Sequence, residues 1–451
     1  MSLRIFNTLS REKEEFKPIH DNTVGLYTCG PTVYNHLHIG NWRAYVFTDL
    51  LKRYLKYSSY SVNHIMNITD VEDKIIREVK AQKRSLKELT EFYTEEFFKD
   101  RDLLNIQPAD TYTKATDYIN DMVVLIKKLE EKGFAYKTSD GSVYFNIHKD
   151  SQYGKLSHFK LSDLKENAEG RLKKDEYEKE SAQDFALWKA WDETDGDVFW
   201  ETDLGKGRPG WHIECSAMSM KNLGESFDIH TGGVDNIFPH HENEIAQSEC
   251  ATGKMFAKYF MHNEHLLVDG QKMAKSANNF YTLEDLINKG IDPLAFRLWL
   301  YTSNYSTRTN FTLEAVNGSQ IALLRLRDAF LALGNDIGVI NTNYKTRFIE
   351  YLDNNLDSPQ ALALVWELLK DTSLSDSDKK ATLLDFDKVL GFDLDKIKEE
   401  IIPKEILELI KKREEARINK DWAKSDELRD KIKDLGYEIK DTETGSKISK
   451  I

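Results

Sequence analysis

Residues 24–31 read Val-Gly-Leu-Tyr-Thr-Cys-Gly-Pro, a short apolar strand that ends at a Gly-Pro pair. Apolar residues then recur at helical spacing over residues 40–55, and residues 62–68 have the pattern of a second strand. A strand, a helix and a strand in this order form a β-α-β unit, whose right-handed crossover implies a parallel sheet. A similar unit returns in residues 227–262. The sequence therefore predicts an α/β fold with a parallel sheet built from two separated halves.

A long insertion separates the two β-α-β units, and we expect it at residues 121–199. A helical pattern covers residues 118–132, and a hairpin turn is predicted at Asp140-Gly141. The highly charged residues 165–180 have almost no apolar periodicity, which predicts a mobile surface segment. After Thr312 the chain is expected to be helical to its end. The apolar spacing places these helices within residues 315–333, 347–369, 380–390 and 406–435.

The composition excludes several classes of protein. A chain of 451 residues is too long for one hydrophobic core, which predicts several domains. Three cysteines are too few for a disulfide framework, so a reducing cytoplasm is the expected location. Residues 1–17 alternate charged and apolar side chains, unlike a signal peptide. No apolar run approaches the roughly 18 residues that a membrane helix needs, so we expect no contact with a membrane.

Charge is distributed unevenly along the chain. The 63 basic and 76 acidic side chains give a net charge of −13, which argues against a basic surface over the whole protein. Residues 401–451 hold 13 basic and 12 acidic side chains, so the first 400 residues carry a net charge of −14. The tail therefore forms either a locally basic face or a solvated helix of alternating charges, and charge alone leaves both open.

Four residues of types that bind zinc lie in or beside the two β-α-β units: Cys29, Cys215, His240 and Glu244. His240 and Glu244 are four positions apart, so they share one face of a helix that begins after Pro239. Zinc accepts sulfur, nitrogen and oxygen donors, and two thiolates, an imidazole and a carboxylate form a plausible set. Because the two cysteines lie 186 positions apart, their spacing alone is a weak signal.

Residues 38–41, His-Ile-Gly-Asn, suit the binding of phosphate. They lie between the first strand and its helix, where the unpaired N–H groups of a helix amino terminus attract anions. His38 and Asn41 can donate hydrogen bonds to phosphate, while Gly40 lets a flat base approach the backbone.

Residues 270–276, Gly-Gln-Lys-Met-Ala-Lys-Ser, form a second candidate for phosphate binding. Lys272 and Lys275 could neutralise a triphosphate and then its pyrophosphate leaving group. A solvated surface turn is the alternative interpretation of such a lysine pair.

The two phosphate segments together resemble the two signature motifs of class I aminoacyl-tRNA synthetases, and the chain is similar to the cysteinyl-tRNA synthetase family. The resemblance covers nearly the whole chain in order. Further matching stretches are residues 28–34 (Thr-Cys-Gly-Pro-Thr-Val-Tyr), 67–74 (Asn-Ile-Thr-Asp-Val-Glu-Asp-Lys), 210–216 (Gly-Trp-His-Ile-Glu-Cys-Ser), 231–235 (Thr-Gly-Gly-Val-Asp), 238–244 (Phe-Pro-His-His-Glu-Asn-Glu) and 420–426 (Lys-Asp-Trp-Ala-Lys-Ser-Asp). Three positions depart from the family pattern: Asn41 replaces a histidine, Ala274 replaces a serine, and no tryptophan follows Gly445.

The resemblance implies one zinc ion per chain, bound by Cys29, Cys215, His240 and Glu244, which would hold the thiolate of a substrate cysteine. It implies ATP bound with Mg²⁺, and catalysis by His38, Asn41, Lys272 and Lys275. The implied cysteine contacts are Gly30, Thr32, Thr69 and Trp211, and the implied ATP contacts are His38, Gly40, Asn41, Gly232, Gly233, Asp235, Lys272 and Lys275. Structural roles, as a strand-end cap and a core tryptophan, are the alternatives for Thr69 and Trp211. Most of the histidines that flank the motifs (His36, His64, His212, His241, His262 and His265) are expected to be structural or to support the ligands.

The expected domains follow from both lines of reasoning. A Rossmann-type catalytic domain, in halves at residues 1–120 and 200–260, is split by the connective insertion at residues 121–199. A junction at residues 261–314 carries the second signature. All-α domains follow, namely a helical bundle at residues 315–400 and a small anticodon-binding domain at residues 401–451.

The activity implied is that of a cysteine–tRNA ligase. L-Cysteine would react with ATP to give cysteinyl-adenylate and pyrophosphate, and the 3′ end of tRNA(Cys) would then accept the cysteinyl group. The expected partners are tRNA(Cys), ATP and L-cysteine, and a cytoplasmic monomer is expected. Two alternatives remain, a cysteine ligase that passes the same adenylate to a small amine and a non-catalytic RNA-binding relative. The helical tail favours tRNA as the acceptor, and the intact motifs argue against a non-catalytic role.

Overall fold

The computed structural model describes residues 2–159, 184–273, 279–397, 403–442 and 445–450. The chain divides into a larger unit, Met1–Asp395, and a terminal unit, Lys396–Ile451. The charged residues 165–180, expected to be mobile, lie outside the described residues. No helix in the described part of the chain is long and apolar enough to cross a membrane. The six segments into which the sequence divides the chain stay predictions.

The larger unit contains twelve described helices and fifteen described strands. The helices are α1 (Ile39–Tyr57), α2 (Asp73–Gln82), α3 (Leu86–Leu103), α4 (Ile119–Glu131), α5 (Trp211–Leu223), α6 (Glu242–Thr252), α7 (Leu283–Asn288), α8 (Pro293–Tyr301), α9 (Leu313–Ala332), α10 (Thr342–Asp353), α11 (Ser358–Lys370) and α12 (Asp376–Leu390). The strands are β1 (Arg4–Asn7), β2 (Glu12–Glu15), β3 (Thr23–Thr28), β4 (Ser61–Ile68), β5 (Thr111–Lys114), β6 (Ala135–Lys137), β7 (Val143–Phe145), β8 (Phe185–Ala190), β9 (Trp200–Thr202), β10 (Gly205–Pro209), β11 (Phe227–Gly233), β12 (Ala257–Asn263), β13 (Leu266–Val268), β14 (Gln271–Lys272) and β15 (Thr309–Phe311).

The central sheet has five strands in the order β12-β11-β3-β4-β5, and every neighbouring pair is parallel. Strands β3 to β5 come from the first half of the chain and strands β11 and β12 from the second. The α/β fold with a split parallel sheet, predicted from the sequence, is confirmed. The strand order reverses between β3 and β11, and ligands of open α/β sheets bind at such a reversal.

Strand β3 and helix α1 form the centre of the larger unit. Val24, Leu26 and Tyr27 of β3 are fully buried, because both faces of a parallel sheet are covered. Helix α1 is buried around most of its surface, including the polar Asp49 and Lys52. It contacts the sheet as well as α8 and α12. Its buried face is therefore wider than the single apolar stripe of a surface helix.

A second sheet, built from residues 135–209, has five described strands in the order β6-β7-β8-β10-β9 with antiparallel pairing. It therefore includes β9 and β10, which follow the range 121–199 expected for the insertion. Val143, Phe145 and Trp188 are fully buried in it. The Lys206 ammonium lies 3.6 Å from the ring centroid of Trp191 on the edge of this sheet. The sheet ends at Pro209, directly before α5, so the insertion leads into a helix that carries a predicted metal ligand.

The helical pattern at residues 347–369 corresponds to two helices, α10 and α11, with a break between them. Asn355 and Leu356 both have positive φ angles (60° and 53°), which no helix interior accepts. The break is held in place by long-range bonds. The Asn355 N–H donates to Arg4 O at 2.8 Å, and its side-chain Oδ1 accepts from the Tyr305 hydroxyl at 2.6 Å.

The terminal unit contains two helices and a hairpin. Its elements are α13 (Lys404–Ile418), α14 (Trp422–Asp434), β16 (Tyr437–Thr442) and β17 (Gly445–Lys450). Its small core includes Ile406, Leu428 and Ile432. The expectation that the chain is helical to its end is wrong at the last two elements, which pair as antiparallel strands.

A buried ionic cluster joins α1 to the helices that follow the sheet. Asp49 Oδ2 accepts from Arg53 Nε at 2.8 Å and from Arg297 Nη2 at 2.5 Å. Arg297 is fully buried and also donates to Leu390 O, at the end of α12. Although burial opposes ionisation of Asp49, the two guanidinium groups hold the pKa of this carboxyl below its ordinary value. The cluster therefore ties α1, α8 and α12 together.

The substitution Asp49→Ala should leave two buried guanidinium groups without their carboxylate. We expect the free energy of unfolding to fall by about 3–5 kcal/mol, the usual cost of breaking a buried ion pair. Urea denaturation followed by circular dichroism measures this loss. The matched control is Glu367→Gln, which breaks a surface ion pair with Arg347. This variant should keep a urea denaturation midpoint close to that of wild type. Equal shifts for the two variants would contradict the proposed importance of the cluster.

Candidate metal centre and nucleotide site

The four predicted metal ligands come from separate elements that meet where the strand order reverses. Cys29 follows β3, and its N–H donates to Thr231 O of β11 at 3.2 Å. Cys215 lies on α5, His240 on the single turn before α6, and Glu244 on α6. The pairing of β3 with β11 therefore brings Cys29 to ligands about two hundred positions away in the chain.

The donor atoms of Cys29, Cys215, His240 and Glu244 all lie within 4.8 Å of one another. The Cys29 and Cys215 sulfurs are 4.0 Å apart, Cys29 Sγ lies 3.9 Å from Glu244 Oε1, and His240 Nε2 lies 3.1 Å from the same oxygen. A tetrahedral ion with bonds of about 2.0–2.3 Å separates its donors by roughly 3.3–3.8 Å. The four residues that the sequence singled out thus form a group that fits a metal ion.

A second group of possible ligands overlaps the first. It consists of Cys29, Glu244, His230 and His241, and its donor atoms also lie within 4.8 Å of one another. His230 Nε2 lies 2.8 Å from Glu244 Oε2, and His241 Nε2 lies 3.3 Å from Cys29 Sγ. Sequence reasoning missed His230. Its position at the end of the strand before Gly232 was the available signal, because the ends of parallel strands line such sites.

Hydrogen bonds between imidazoles orient the ligand residues. His240 Nδ1 lies 2.9 Å from His212 Nδ1, and His241 Nδ1 lies 2.9 Å from His262 Nε2. His262 Nδ1 in turn lies 2.7 Å from the Thr8 hydroxyl. Metal-binding histidines usually have such a partner on the second ring nitrogen, which fixes the orientation of the ring.

Burial works against charge at the donor atoms. Burial raises the pKa of Cys29 and of Glu244 well above their ordinary values. It lowers the pKa of His240 well below the ordinary value of a histidine. Without a cation the thiol and the carboxyl therefore favour their neutral forms. A divalent ion would reverse this preference, because it stabilises thiolate and carboxylate directly.

The predicted cysteine contacts lie around the metal ligands. The indole of Trp211 stacks on His240, with ring centroids 4.1 Å apart and an angle of 15° between the planes. Thr69 is buried, and its hydroxyl donates to Glu214 Oε2 at 3.2 Å. Thr32 pairs with Thr69 as an isolated bridge. Trp211 thus contacts a candidate ligand, and Thr69 contacts Glu214, the residue before Cys215. The role of Thr32, Thr69 and Trp211 as substrate contacts stays a prediction.

Gly30 joins Cys29 to this region and has no space for a side chain. A Cβ at Gly30 would lie 1.7 Å from the carbonyl oxygen of Asn67. The Gly30 N–H donates to Asn67 Oδ1 at 2.8 Å, so the loop after β3 is bound directly to the end of β4. The glycine is required by this close approach.

The first signature caps α1. His38 is the N-cap residue: its Nδ1 accepts from Asn41 N at 3.2 Å, while Asn41 Oδ1 accepts from His38 N at 3.1 Å. This capping box fixes both side chains at the amino terminus of the helix, where anions are favoured. A Cβ at Gly40 would lie 2.8 Å from Met273 Cε, so the second signature begins directly over Gly40.

The second signature starts on β14, which pairs Lys272 with Leu267 of β13. Residues 274–278, including the predicted Lys275, lie outside the described residues. On the far side of this gap, Ile39 N donates to Tyr281 O at 2.9 Å, and His38 pairs with Thr282 as an isolated bridge. Residues 272–282 are called the lysine segment below, and both of its described ends lie against the start of α1.

The predicted adenosine segment begins with Gly232 and Gly233, the last two residues of β11, and continues to Asp235. Gly233 N donates to Asn236 Oδ1 at 3.1 Å, which closes a tight turn, and Asp235 is exposed at its tip. A Cβ at Gly232 would lie 2.8 Å from the His241 ring. Gly232 therefore lies between the nucleotide region and the histidines beside the metal group.

Comparison with known proteins agrees with this architecture. Residues 15–320 match the family described as tRNA synthetases class I (C) catalytic domain, and residues 401–447 match the cysteinyl-tRNA ligase anticodon binding domain. The chain is 46% identical to a cysteine–tRNA ligase of Protochlamydia amoebophila, over 99% of this chain and 98% of the relative. It is 45% identical to that of Brachyspira hyodysenteriae, over 98% of each chain. Methionyl-tRNA synthetase of Mycobacterium tuberculosis shares the fold, with a TM-score of 0.58, 14% identity and coverage of 82% of this chain and 90% of that chain.

The fold and the two signature segments thus define a class I aminoacyl-tRNA synthetase. Within this class, the chain belongs to the cysteine–tRNA ligase family.

The substitution Gly30→Ala should displace the loop that carries Cys29, because a Cβ has no space beside Asn67 O. We expect a lower melting temperature and a loss of metal from the purified protein. Gly318→Ala is the matched control, since Gly318 lies inside α9 and an added Cβ there would meet nothing within 4 Å. This control should gain about 0.5–1 kcal/mol in stability, as alanine favours a helix over glycine. Calorimetry and metal analysis of both variants measure the difference, and retention of metal by a folded Gly30→Ala variant would contradict the argument.

Proposed function

We propose that the chain is an ATP-dependent cysteine–tRNA ligase that uses one zinc ion to select its amino acid. The observation that carries this proposal is the set of two thiols, one imidazole and one carboxyl whose donor atoms lie within 4.8 Å of one another. A class I synthetase fold explains the nucleotide site, and the thiol-rich donor set explains the choice of cysteine.

The donor set is the basis for zinc. Cys29, Cys215, His240 and Glu244 offer sulfur, nitrogen and oxygen, the atoms that zinc accepts in tetrahedral sites. When bound, zinc supplies a centre that prefers thiolate to a hydroxyl group, which favours cysteine over serine. A site that gains a strong bond from one substrate atom rejects the analogue that lacks it, so no editing step is needed. Trp211 and Thr69 would line the remainder of the pocket, together with Gly30 and Thr32.

The residues of this chain would act by position and charge. The carboxylate of L-cysteine attacks the α-phosphorus of ATP, which forms cysteinyl-adenylate and releases pyrophosphate. His38 and Asn41, at the amino terminus of α1, would bind phosphate, while Lys272 and Lys275 would neutralise the leaving group. Gly232, Gly233 and Asp235 would hold the adenosine, Gly40 would give the base access to the backbone, and ATP would enter with Mg²⁺. No side chain acts as a nucleophile, so alignment of the substrates supplies much of the rate.

The terminal unit supports tRNA(Cys) as the acceptor of the cysteinyl group. Trp422 is 60% exposed at the start of α14, and the basic residues Lys411 and Lys412 lie on α13. Exposed aromatic rings beside basic side chains suit single-stranded RNA, because bases stack on the ring and the cations contact phosphate. The match of residues 401–447 to an anticodon-binding family disfavours the alternative of a small amine acceptor. A monomer in the cytoplasm is part of the same proposal.

Two assays test the activity as a whole. Exchange of labelled pyrophosphate into ATP that depends on L-cysteine, with serine inactive, would support adenylate formation. Attachment of cysteine to bulk tRNA would distinguish tRNA from a small amine as the acceptor. A protein that binds RNA but lacks exchange would be a non-catalytic relative, and the proposal would fail.

Metal analysis tests the zinc centre. We expect one zinc ion per chain. We expect Cys215→Ser to weaken zinc binding by more than about 100-fold, because loss of a residue that only hydrogen-bonds to a ligand already lowers metal affinity by about 10–100-fold. The KM for cysteine should rise in the same variant, because the zinc ion would bind the substrate thiolate. Cys250→Ser is the matched control, since Cys250 belongs to neither group of possible ligands. Freshly purified, active protein that contains no zinc would disprove the assignment.

Removal of the terminal unit should separate the two half-reactions. A chain that ends at Asp395 retains every proposed zinc and ATP residue, so cysteine-dependent pyrophosphate exchange should persist while charging of tRNA falls sharply. In the full chain, Trp422→Ala should weaken charging by about 1–3 kcal/mol in kcat/KM if one base stacks on the ring, and Trp422→Phe should restore most of it. Full charging by the folded, shortened chain would show that the terminal unit does not read tRNA.

A further inference from the structure

Arg43 is a buried cation to which the chemistry above assigns no role. It lies near the start of α1 and is 4% exposed. Its four described acceptors are all main-chain carbonyls. Nη1 donates to His265 O at 2.8 Å, and Nη2 donates to Tyr305 O at 3.2 Å and to the carbonyls of Asn304 and Thr307. Burial lowers the pKa of Arg43 to about 10, which leaves the guanidinium charged at neutral pH.

The carbonyls belong to the two segments that support the second signature. His265 directly precedes β13, which pairs with β14 and hence with Lys272. The turn at residues 304–307 directly precedes β15, which pairs with the other edge of β13. One guanidinium thus connects α1, whose amino terminus is the first signature, to the small sheet from which the lysine segment leaves.

The turn at residues 304–307 has two further sets of contacts, one with α1 and one with the break between α10 and α11. Phe47, one helical turn after Arg43, stacks on Tyr305 with ring centroids 4.1 Å apart. The Tyr305 hydroxyl and Asn304 Nδ2 both donate to Asn355, in the break between α10 and α11. The turn is also joined to residues 264–265 by main-chain bonds, since Glu264 N donates to Tyr305 O at 2.9 Å and Thr309 N donates to His265 O at 3.3 Å. Arg43 bonds both of these connected segments from α1.

From this geometry we infer that Arg43 is a positioning residue for the second signature. It holds β13, and with it β14 and Lys272, against the amino-terminal half of α1. The inference rests on the proposed function, because it assigns Arg43 to adenylate formation and not to cysteine binding. The metal group depends on β3, β11, α5 and α6, and none of the carbonyls bound by Arg43 belongs to these elements.

The planar guanidinium explains why arginine is needed. Its donors point in fixed directions and reach carbonyls on two separate segments at once. A lysine ammonium keeps the charge, but its three rotatable donors share one nitrogen, so it does not hold the carbonyls of both segments in the same fixed geometry. A misplacement of about 1 Å can cost as much as 100-fold in rate without loss of the fold.

Arg43→Lys in the full chain tests the inference. We expect kcat for cysteine-dependent pyrophosphate exchange to fall by about 10–100-fold, with the KM for cysteine and the zinc content within about twofold of wild type. Amide hydrogens of Leu266–Val268 should exchange faster with solvent, because β13 loses its connection to α1. The matched control is Arg308→Lys in the same loop, whose guanidinium is 60% exposed and lies 3.5 Å from Glu264. This control should leave all three quantities unchanged.

Two results would overturn the inference. A folded Arg43→Lys variant with the kcat of wild type would remove the positioning role, and an equal loss of zinc and cysteine affinity would show general damage to the fold. If Arg43→Lys does not fold, Phe47→Leu loosens the same turn and keeps the guanidinium. It should lower kcat with an unchanged KM for cysteine, and any other pattern counts against the inference. If the wild-type chain shows no exchange, the proposed function fails, and hydrogen exchange at Leu266–Val268 still tests the positioning role.

Discussion

The parallel pairing of β3 with β11 is the constraint on which the rest of the structure depends. Leu26 lies opposite Ile229 and Thr28 opposite Thr231, and the two threonine hydroxyls lie 2.8 Å apart. This pairing joins two halves of the sheet that are separated by the whole insertion. Because parallel strands end at the same edge, it also places Cys29 beside the ligands that follow β11. Any shift of register would move Cys29 away from them.

The two buried clusters, one at Asp49 and one at Glu244 and Cys29, differ in whether the protein itself supplies a cation beside the buried acidic groups. At Asp49, two guanidinium groups offset the cost of burial, and the carboxyl is ionised within the protein itself. At Glu244 and Cys29, burial raises the pKa of both groups, and the described neighbours supply imidazoles instead of a fixed cation. The first cluster is complete as it stands and stabilises the fold. The second would be completed by a divalent ion, which is the physical basis for the proposed zinc centre.

Helix α1 links the stable part of the protein to the proposed chemistry. Its first residues form the cap that would bind phosphate, its second turn carries Arg43, and Asp49 and Arg53 anchor it to α8 and α12. The helix is therefore held along its whole length. Such rigidity suits a reaction that depends on the alignment of substrates and not on a nucleophilic side chain.

The sequence by itself determined the elements whose signals are local. The strand predicted at residues 24–29 is β3 (Thr23–Thr28), and the helix predicted at residues 40–55 is α1 (Ile39–Tyr57), because apolar periodicity reports which face is buried. Short motifs and the family resemblance also single out Cys29, Cys215, His240 and Glu244, whose donor atoms form one group that could hold a metal ion. Only the tertiary structure decided the contacts of His230 and Arg43, the break at Asn355-Leu356 and the final hairpin. Each of these depends on a contact between distant residues, or on a backbone conformation held by such a contact, and no local pattern records which distant groups will meet.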